Sequence, residues 1–345
     1  MTDIKTKIHH DAVPATATEL DAKIKPDGIG ADGIGGEGIE AELTSEPKPE
    51  VKAELKPEVK AELRRDVRNT LEELADTGRS VEERFARRVR INSPRRHNAK
   101  LNALLNLINA DDDLYGLWLA ANVNAMERLG MTDHGPVHVK IVMNIALKML
   151  RLLTERGVVP AVIRNYQMSV DDAEVVVAMA SLLHDLGMSI HRADHESYSL
   201  FLAASKLERL LPAVYDAKHA VIVRSEILHA IISHRSGGAP LTIEAGVVRI
   251  ADALDMAEGR SRIPFEHGSQ SIHSISAAAI DSITIEPGVD KAVRISVRMT
   301  NSAGVFQLDR LFREKLQGSG LESYIELEAS IEGETEKRLI RTFRV

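Results

Sequence analysis

The chain has 345 residues, and its 44 basic and 51 acidic side chains give a net charge of −7. That length accommodates two or three domains of about 100–200 residues, each with its own core. No apolar run approaches the ~18–20 residues of a membrane span, and the first residues, MTDIKTKIHHDAVPA, lack the apolar stretch of a secretory signal. Cysteine is absent, which excludes disulfides, thiolate metal sites and cysteine nucleophiles. We therefore expect a cytoplasmic protein with no membrane partner, in which histidine and carboxylate build any metal site.

The first 63 residues differ in composition from the rest of the chain. They contain 8 Lys, 14 acidic residues, no Arg and no aromatic residue, and the sequences DGIG and KPEVKAEL each occur twice in them. A charged segment without aromatic residues buries too little apolar surface to offset the entropy that is lost on ordering. We predict a disordered low-complexity tail over 1–63, with a charged helix in its second half as the alternative interpretation.

Residues 64–100 are predicted to form a basic helical linker. Seven basic side chains and no carboxylate occur between Arg84 and Lys100. Such a run can follow the phosphate backbone of a nucleic acid, or it can be the solvated face of a helix that packs on the body of the protein. Phe85 is the only aromatic residue in this run that could stack on a base, which favours the solvated face.

Helical periodicity extends over residues 101–262, which we predict to be one helical domain. Apolar residues recur three and four positions apart, as they do on one face of a helix. Further helices are expected over about 195–211 and 217–233. Typical first-turn signals precede several helices: Asp111 to Asp113, Pro136, Asp171 with Asp172, and Thr242.

The pattern changes in residues 269–345, which we predict to be a small α+β domain. The segments SITIEP and KAVRISVRMT alternate in twos, as strands do, and VFQLDRLFREKLQGSG then has helical spacing. Two more predicted strands, SYIELEASIE and KRLIRTFRV, complete a ββαββ order and a mostly antiparallel sheet. The domain contains one histidine, His273, and no phosphate loop, so we expect no catalysis there. The predicted class is therefore mostly α, with a helical domain followed by this small domain.

A set of histidines and aspartates in the helical domain could carry chemistry. A single histidine on an apolar face is more often a satisfied core residue than a ligand, and a single aspartate is often exposed. Here, however, several predicted helices each direct such a residue toward a core that offers little else that is polar. Converging imidazole and carboxylate groups are what a divalent cation requires. The set is His138, His184, Asp185, His195, His234 and Asp252.

The order and surroundings of these residues resemble those of a known family. The segments LLHDLGMS, around the His184–Asp185 doublet, and RIADALDMAEGRSR, around Asp252, resemble the HD superfamily of metal-dependent phosphohydrolases over about 134–262. They look most like the HD domains of ribonuclease Y and of HD-GYP cyclic-dinucleotide phosphodiesterases. No GYP motif is present, which argues against the cyclic di-GMP class.

The resemblance implies a metal centre. His195 and His234 match additional histidines that bind a second ion in HD-GYP-like members, and Asp185 would then be the bridging carboxylate. The implied ligands of the first ion are His138, His184, Asp185 and Asp252.

Two positions depart from the family pattern. Arg235 replaces the second of two paired histidines, and Met188 stands where a lysine commonly contacts phosphate. We predict that Arg192 or Arg235 makes the phosphate contact instead, because a guanidinium can hold phosphate with two hydrogen bonds. The predicted catalytic residues are thus Asp185, Arg192 and Arg235.

Four neighbouring residues each have two interpretations. His191 and His229 are candidate proton donors for the leaving oxygen, or an exposed loop residue and an outer-face residue. His134 is a loop residue that precedes Pro136, or an assistant to His138. Asp255 either orients a ligand or joins a surface network.

The leading hypothesis is a phosphohydrolase or phosphodiesterase that acts on a nucleotide or related phosphate ester and uses one or two ions of Mn, Fe, Co, Mg or Zn. Such an ion lowers the pKa of bound water from ~15.7 toward ~7. Two alternatives stay open: an RNA or oligonucleotide phosphodiesterase, and a non-catalytic metal- or nucleotide-binding regulatory module. A homodimer formed through an exposed sheet edge is also compatible with the sequence.

Overall fold

The computed structural model describes residues 79–93, 98–256, 276 and 279–331. Three predictions concern residues outside these ranges. They are the disordered tail, the first part of the basic linker and the last strand of the C-terminal domain.

Helices make up most of the described chain, and a small sheet follows them, which confirms the predicted fold class. Within the described ranges, no helix combines the length and the apolar character that crossing a bilayer demands. A π-helical turn, Val123–Arg128, continues the third helix. The helices of this region are α1 (Val81–Ala86), α2 (Ala99–Ala110), α3 (Asp112–Asn122), α4 (Pro136–Glu155), α5 (Ala161–Tyr166), α6 (Val170–Leu183), α7 (His195–Leu210), α8 (Ala217–Ser233) and α9 (Ile243–Ala253).

Most of the predicted helix starts are confirmed. The side chain of Asp111 accepts a hydrogen bond from the Leu114 amide at the start of α3, and Pro136 occupies the first turn of α4. The start of α6 differs, because Ser169 is the N-cap and Asp172 completes a capping box with it. The Ser169 hydroxyl accepts the amide hydrogen bond of the cap, and Asp171 and Asp172 lie in the first turn of the helix.

Helix α6 forms the centre of the helical region. Every residue from Asp172 to Leu183 is buried, and the helix packs against α4, α8 and α9. A helix that is apolar on all sides has to be surrounded by others. Because α6 ends inside the protein, the two residues that follow it, His184 and Asp185, are also buried.

The basic run packs on the helical body. Arg84 forms an ion pair of 3.0 Å with Glu127, and Arg88 is paired with Asp112. These contacts support the interpretation of the run as a packed and solvated face. The two arginines within 94–97 lie outside the described residues.

The described sheet has three strands: β1 (Ile280–Pro287), β2 (Val293–Met299) and β3 (Ile325–Ile331). Strands β1 and β2 form the predicted antiparallel hairpin, but β3 pairs with β2 in parallel, in contrast to the expected mostly antiparallel sheet. The reason is the intervening helical segment, which carries the chain back across the sheet as parallel crossovers require. That segment comprises α10 (Gly304–Phe306), a π-helical turn (Gln307–Phe312) and α11 (Arg313–Leu316).

The sheet region and the helical region share one apolar core. Strands β1 and β2 pack against α4, and α11 packs against α9. The predicted boundary between a domain over 101–262 and one over 269–345 lies largely outside the described residues and stays a prediction.

Candidate metal centre

His138 is fixed at the start of α4. The buried side chain of Asp133 caps this helix, accepting hydrogen bonds from the amide of Gly135 at 3.0 Å and from the amide of His138 at 2.9 Å. A carboxylate at a helix N-terminus satisfies amides that have no partner within the helix. The cap therefore fixes the backbone position from which the His138 side chain extends into the interior.

Asp185 and His195 are brought together by a tight approach at Gly187. The turn that contains Gly187 follows α6, and the Gly187 amide donates to Ser199 Oγ in α7 at 2.8 Å. A Cβ built on Gly187 would lie 2.0 Å from the carbonyl oxygen of His195. Only glycine fits this approach, which sets His195, the first residue of α7, beside Asp185.

We expect the substitution Gly187→Ala to lower the free energy of unfolding by about 1–3 kcal/mol, because the added methyl group overlaps backbone atoms of α7. Chemical denaturation checks this value. The matched control is Gly116→Ala, where the new Cβ would have its nearest neighbour at 3.6 Å, an ordinary contact. Equal stability of the two variants would contradict the tight approach.

The first group of ligand atoms gathers around the ring of His138. Its Nε2 lies 3.2 Å from Nε2 of His184 and 3.3 Å from Oδ2 of Asp185. Oδ1 of Asp252 lies 3.6 Å from Nε2 of His138 and 3.7 Å from Nε2 of His184. Two nitrogens and two carboxylate oxygens thus surround one point.

The second group uses the other oxygen of Asp185. Oδ1 of Asp185 lies 3.2 Å from Nε2 of His195 and 3.8 Å from Nε2 of His234. His195 begins α7 and His234 directly follows α8. Asp185 therefore directs one oxygen to each histidine pair.

Asp255 holds the ring of His138. Its Oδ2 lies 2.6 Å from Nδ1 of His138, and its side chain is only 3 % exposed. A carboxylate at this distance accepts a hydrogen bond from Nδ1–H and leaves Nε2 as an acceptor. Of the two interpretations of Asp255, the structure supports the one in which it orients a ligand.

Backbone carbonyls lie next to Nδ1 of the other three rings. Nδ1 of His184 lies 2.8 Å from the oxygen of Ser181, Nδ1 of His195 lies 3.1 Å from that of Arg192, and Nδ1 of His234 lies 2.5 Å from that of Ile231. In the tautomer in which Nδ1 of His184 and His234 donates to these carbonyls, the Nε2 atoms of both rings present lone pairs.

This arrangement fits a bound cation. Facing lone pairs on Nε2 of His138 and Nε2 of His184, 3.2 Å apart, repel each other unless a cation lies between them. Two nitrogens bonded to one zinc-like ion at about 2.1 Å, with angles between about 90° and 109°, are about 3.0–3.4 Å apart. The donor set and its spacing are therefore those of a divalent metal centre.

We expect the substitution Asp255→Ala to lower metal affinity about 10–100-fold, because the His138 ring loses the partner that fixes its tautomer. Titration with Mn²⁺ measures the change. The matched variant Asp255→Asn retains an acceptor oxygen and should lose less affinity. Unchanged affinity in the alanine variant would mean that Asp255 does not orient the ligand.

The carboxylate of Asp185 is ionised although it is buried. Burial raises its pKa, but the nearby His184, His138 and His195 outweigh that effect and hold the pKa well below its ordinary value. The reciprocal effect acts on His195. Burial lowers the pKa of its ring, but Asp185 outweighs that effect and raises the pKa above its ordinary value.

Asp252 and His234 show the same balance. Burial raises the pKa of Asp252, but the Lys315 ammonium and then His184 lower it well below its ordinary value. Burial, followed by the neighbouring His184, lowers the pKa of His234 to about 3. An ionised carboxylate and a neutral imidazole are the forms that bind metal ions.

The structure places the two predicted arginines differently. The guanidinium of Arg192 lies against the His195 ring, with Nη1 at 3.0 Å from Nδ1, so it borders the second group. Arg235 is exposed, and in the described part of the chain no hydrogen bond or ion pair joins its side chain to the predicted ligands. Its position next to His234 in sequence does not bring its side chain to the site.

The three other candidate histidines differ in how close they lie to the centre. His191 is exposed, and Nε2 of His229 accepts the amide of Leu241 at 3.0 Å, which ties it to a loop. The ring of His134 lies 5.3 Å from that of His138, which places it beside the first group. The structure thus favours His134 over His191 and His229 as a neighbour of the centre.

Two further groups lie at the site, and neither belongs to the predicted set of residues. Glu196 follows His195 and places Oε2 3.1 Å from its Nδ1, close enough for a metal grouping with His195 and His234. Lys315 of α11 reaches Oδ2 of Asp252 at 3.4 Å. Glu196 adjoins a predicted ligand and could have been found by proximity, whereas no local pattern indicates Lys315.

Comparisons with known proteins agree with the geometry. The model of the HD domain family matches residues 137–257. The chain is also 41% identical, over 214 residues, to a protein of Methanocaldococcus jannaschii named "Uncharacterized protein MJ1020". The matched region covers 62% of this chain and 83% of that protein. No solved structure matches the chain. The chain belongs to the HD domain family, whose members are mostly metal-dependent hydrolases.

Proposed function

We propose that this protein is a divalent-metal-dependent phosphohydrolase or phosphodiesterase that hydrolyses a nucleotide or a related phosphate ester. The observation that carries the proposal is the carboxylate of Asp185, which directs one oxygen to the His138–His184 pair and the other to the His195–His234 pair. Such a shared carboxylate suits two adjacent cations.

The proposed ligands divide into two groups. When bound, divalent ions activate water as a nucleophile and neutralise the charge on phosphoryl oxygens. The proposed first group is His138, His184, Asp185 and Asp252, and the second is Asp185, His195 and His234.

The chain's own residues prepare this site for a phosphate ester. Asp255 and the backbone carbonyls hold the imidazole rings in place before a ligand arrives, so little reorganisation is needed on binding. Arg192, exposed at the edge of the second group, is the proposed guanidinium contact to a phosphate oxygen. Arg235, whose side chain is exposed, has no part in this contact.

The choice of ion follows from the donor atoms. Four imidazoles and two carboxylates suit Mn, Fe, Co or Zn, whereas Mg favours a site richer in oxygen and water. We propose one or two ions from the first four metals and keep Mg in the activity screen.

The alternatives have less support from the described residues. The RNA phosphodiesterase alternative depends on the ribonuclease Y-like segment RIADALDMAEGRSR and on the basic run, and in that run Arg84 and Arg88 are paired with acidic side chains of the body. The regulatory alternative depends on Arg235, on Met188 and on the separate C-terminal domain, and among the described residues neither side chain forms a hydrogen bond or ion pair with a predicted ligand. A homodimer stays a prediction.

A metal-dependent activity screen tests the proposal. Purified protein is incubated with each metal and with nucleoside phosphates, cyclic dinucleotides and a short RNA. We expect hydrolysis of a nucleotide-type ester, and its loss in the double variant His184→Ala with Asp185→Ala. Cleavage of RNA alone would favour the RNA phosphodiesterase, and binding of metal and nucleotide with no product would favour the regulatory module.

A further inference from the structure

One face of α9 contacts the C-terminal region along about two helical turns. Gly246, Arg249 and Asp252 are spaced three residues apart and thus lie on one side of the helix. A Cβ on Gly246 would lie 2.4 Å from the carbonyl oxygen of Ser319, so the backbone of the C-terminal region rests directly on α9. We call residues 313–319, which lie along this face, the docking segment.

Arg249 fixes the docking segment to the metal centre. Its side chain is only 2 % exposed, and its hydrogen bonds go to backbone carbonyls. A buried guanidinium is costly unless its donors are satisfied, so both sides of the contact must be in place together. The acceptors are Lys315 at 2.8 Å and Glu314 at 3.3 Å in the docking segment, with Arg235 at 2.8 Å, Gly238 at 2.7 Å and Ser233 at 3.3 Å around His234.

Lys315 extends from the docking segment to both ligand groups. Its Nζ lies 3.4 Å from Oδ2 of Asp252, the carboxylate oxygen that is turned away from His138 and His184. Nζ also donates to the carbonyl oxygen of His234. The ammonium therefore adjoins one residue of the first group and one residue of the second.

The Lys315 ammonium has capacity for a further acceptor. An ammonium has three N–H donors, and among the described residues the hydrogen bonds of Nζ are those to His234 and Asp252. The side chain is 21 % exposed, so solvent or a ligand can reach it. A fixed cation with a spare donor beside a metal centre is suited to an anionic oxygen.

We propose that Lys315 is a phosphate-binding residue of the metal centre, so that the C-terminal region supplies part of the active site. The proposal rests on the proposed function and extends it. It differs from the expectation that the C-terminal domain takes no part in the chemistry.

Phosphate titration tests this role without relying on turnover. Inorganic phosphate is titrated calorimetrically into Mn²⁺-loaded wild type, Lys315→Met, Lys315→Arg and the control Arg313→Met. Arg313 belongs to the same helix, but its side chain is 65 % exposed and pairs with Asp309. Metal content and thermal unfolding are measured for each protein.

We expect Lys315→Met to bind phosphate about 10–100-fold more weakly, since it lacks a charged hydrogen bond. Lys315→Arg should recover most of the affinity, and Arg313→Met should match the wild type. Metal content should be unchanged in all four proteins. With a substrate from the activity screen, we expect the KM of Lys315→Met to rise by a larger factor than its kcat falls.

Two results would overturn the role of Lys315 and leave the proposed function standing. One is wild-type phosphate affinity in a folded, metal-loaded Lys315→Met variant. The other is loss of metal from that variant, which would mean that Lys315 acts only by supporting Asp252. A wild-type protein that binds no metal would instead overturn the proposed function, and the role of Lys315 with it.

Discussion

Replacing Asp185 with Asn is expected to reduce metal-dependent hydrolysis by about 10³-fold or more, equivalent to ~4 kcal/mol of transition-state stabilisation. The substitution keeps the shape of the side chain but removes its charge. One of the two oxygens becomes an amide nitrogen that cannot bind a cation, so one histidine pair loses its carboxylate. The measurement is the rate of hydrolysis of bis(p-nitrophenyl) phosphate with saturating Mn²⁺.

The control for this substitution is Asp290→Asn, which makes the same chemical change at an exposed residue in the turn between β1 and β2. We expect it to retain wild-type activity. An Asp185→Asn variant within tenfold of the wild-type rate would contradict the shared role of the carboxylate.

Replacing Arg249 with Met is expected to lower the free energy of unfolding by about 3–5 kcal/mol. Met preserves much of the side-chain volume but leaves several buried carbonyls without their donor, and removing one partner from a buried charged network has a cost of about this size. Urea denaturation, followed by circular dichroism, gives the value.

The matched control is Arg164→Met, on the exposed side of α5, where a change within about 0.5 kcal/mol is expected. A similarly small effect at Arg249 would show that the contact between α9 and the docking segment does not stabilise the fold.

Sequence patterns predicted the helices with good boundaries because helical periodicity is local. The helices expected over about 195–211 and 217–233 are α7 (His195–Leu210) and α8 (Ala217–Ser233). The six predicted ligands also come together in space, since each lies near the end of a helix whose buried face could be identified from its apolar spacing.

Long-range contacts could not be predicted in this way. The parallel pairing of β3 depends on how the chain crosses the sheet, and residues of one strand do not encode it. Arg235 adjoins His234 in sequence, yet its side chain is exposed. The cation that does lie near the site, Lys315, is 63 residues from Asp252 in sequence. Only the packing of α11 on α9 brings the two side chains together.

The most direct test of a metal centre is elemental analysis of the purified protein by plasma mass spectrometry, with wild type and Asp185→Ala prepared side by side. We expect about one or two equivalents of a transition metal in the wild type and their loss in the variant. A wild-type protein without bound metal, even after incubation with Mn²⁺ or Fe²⁺, would contradict the account and make the histidine and aspartate cluster a structural feature.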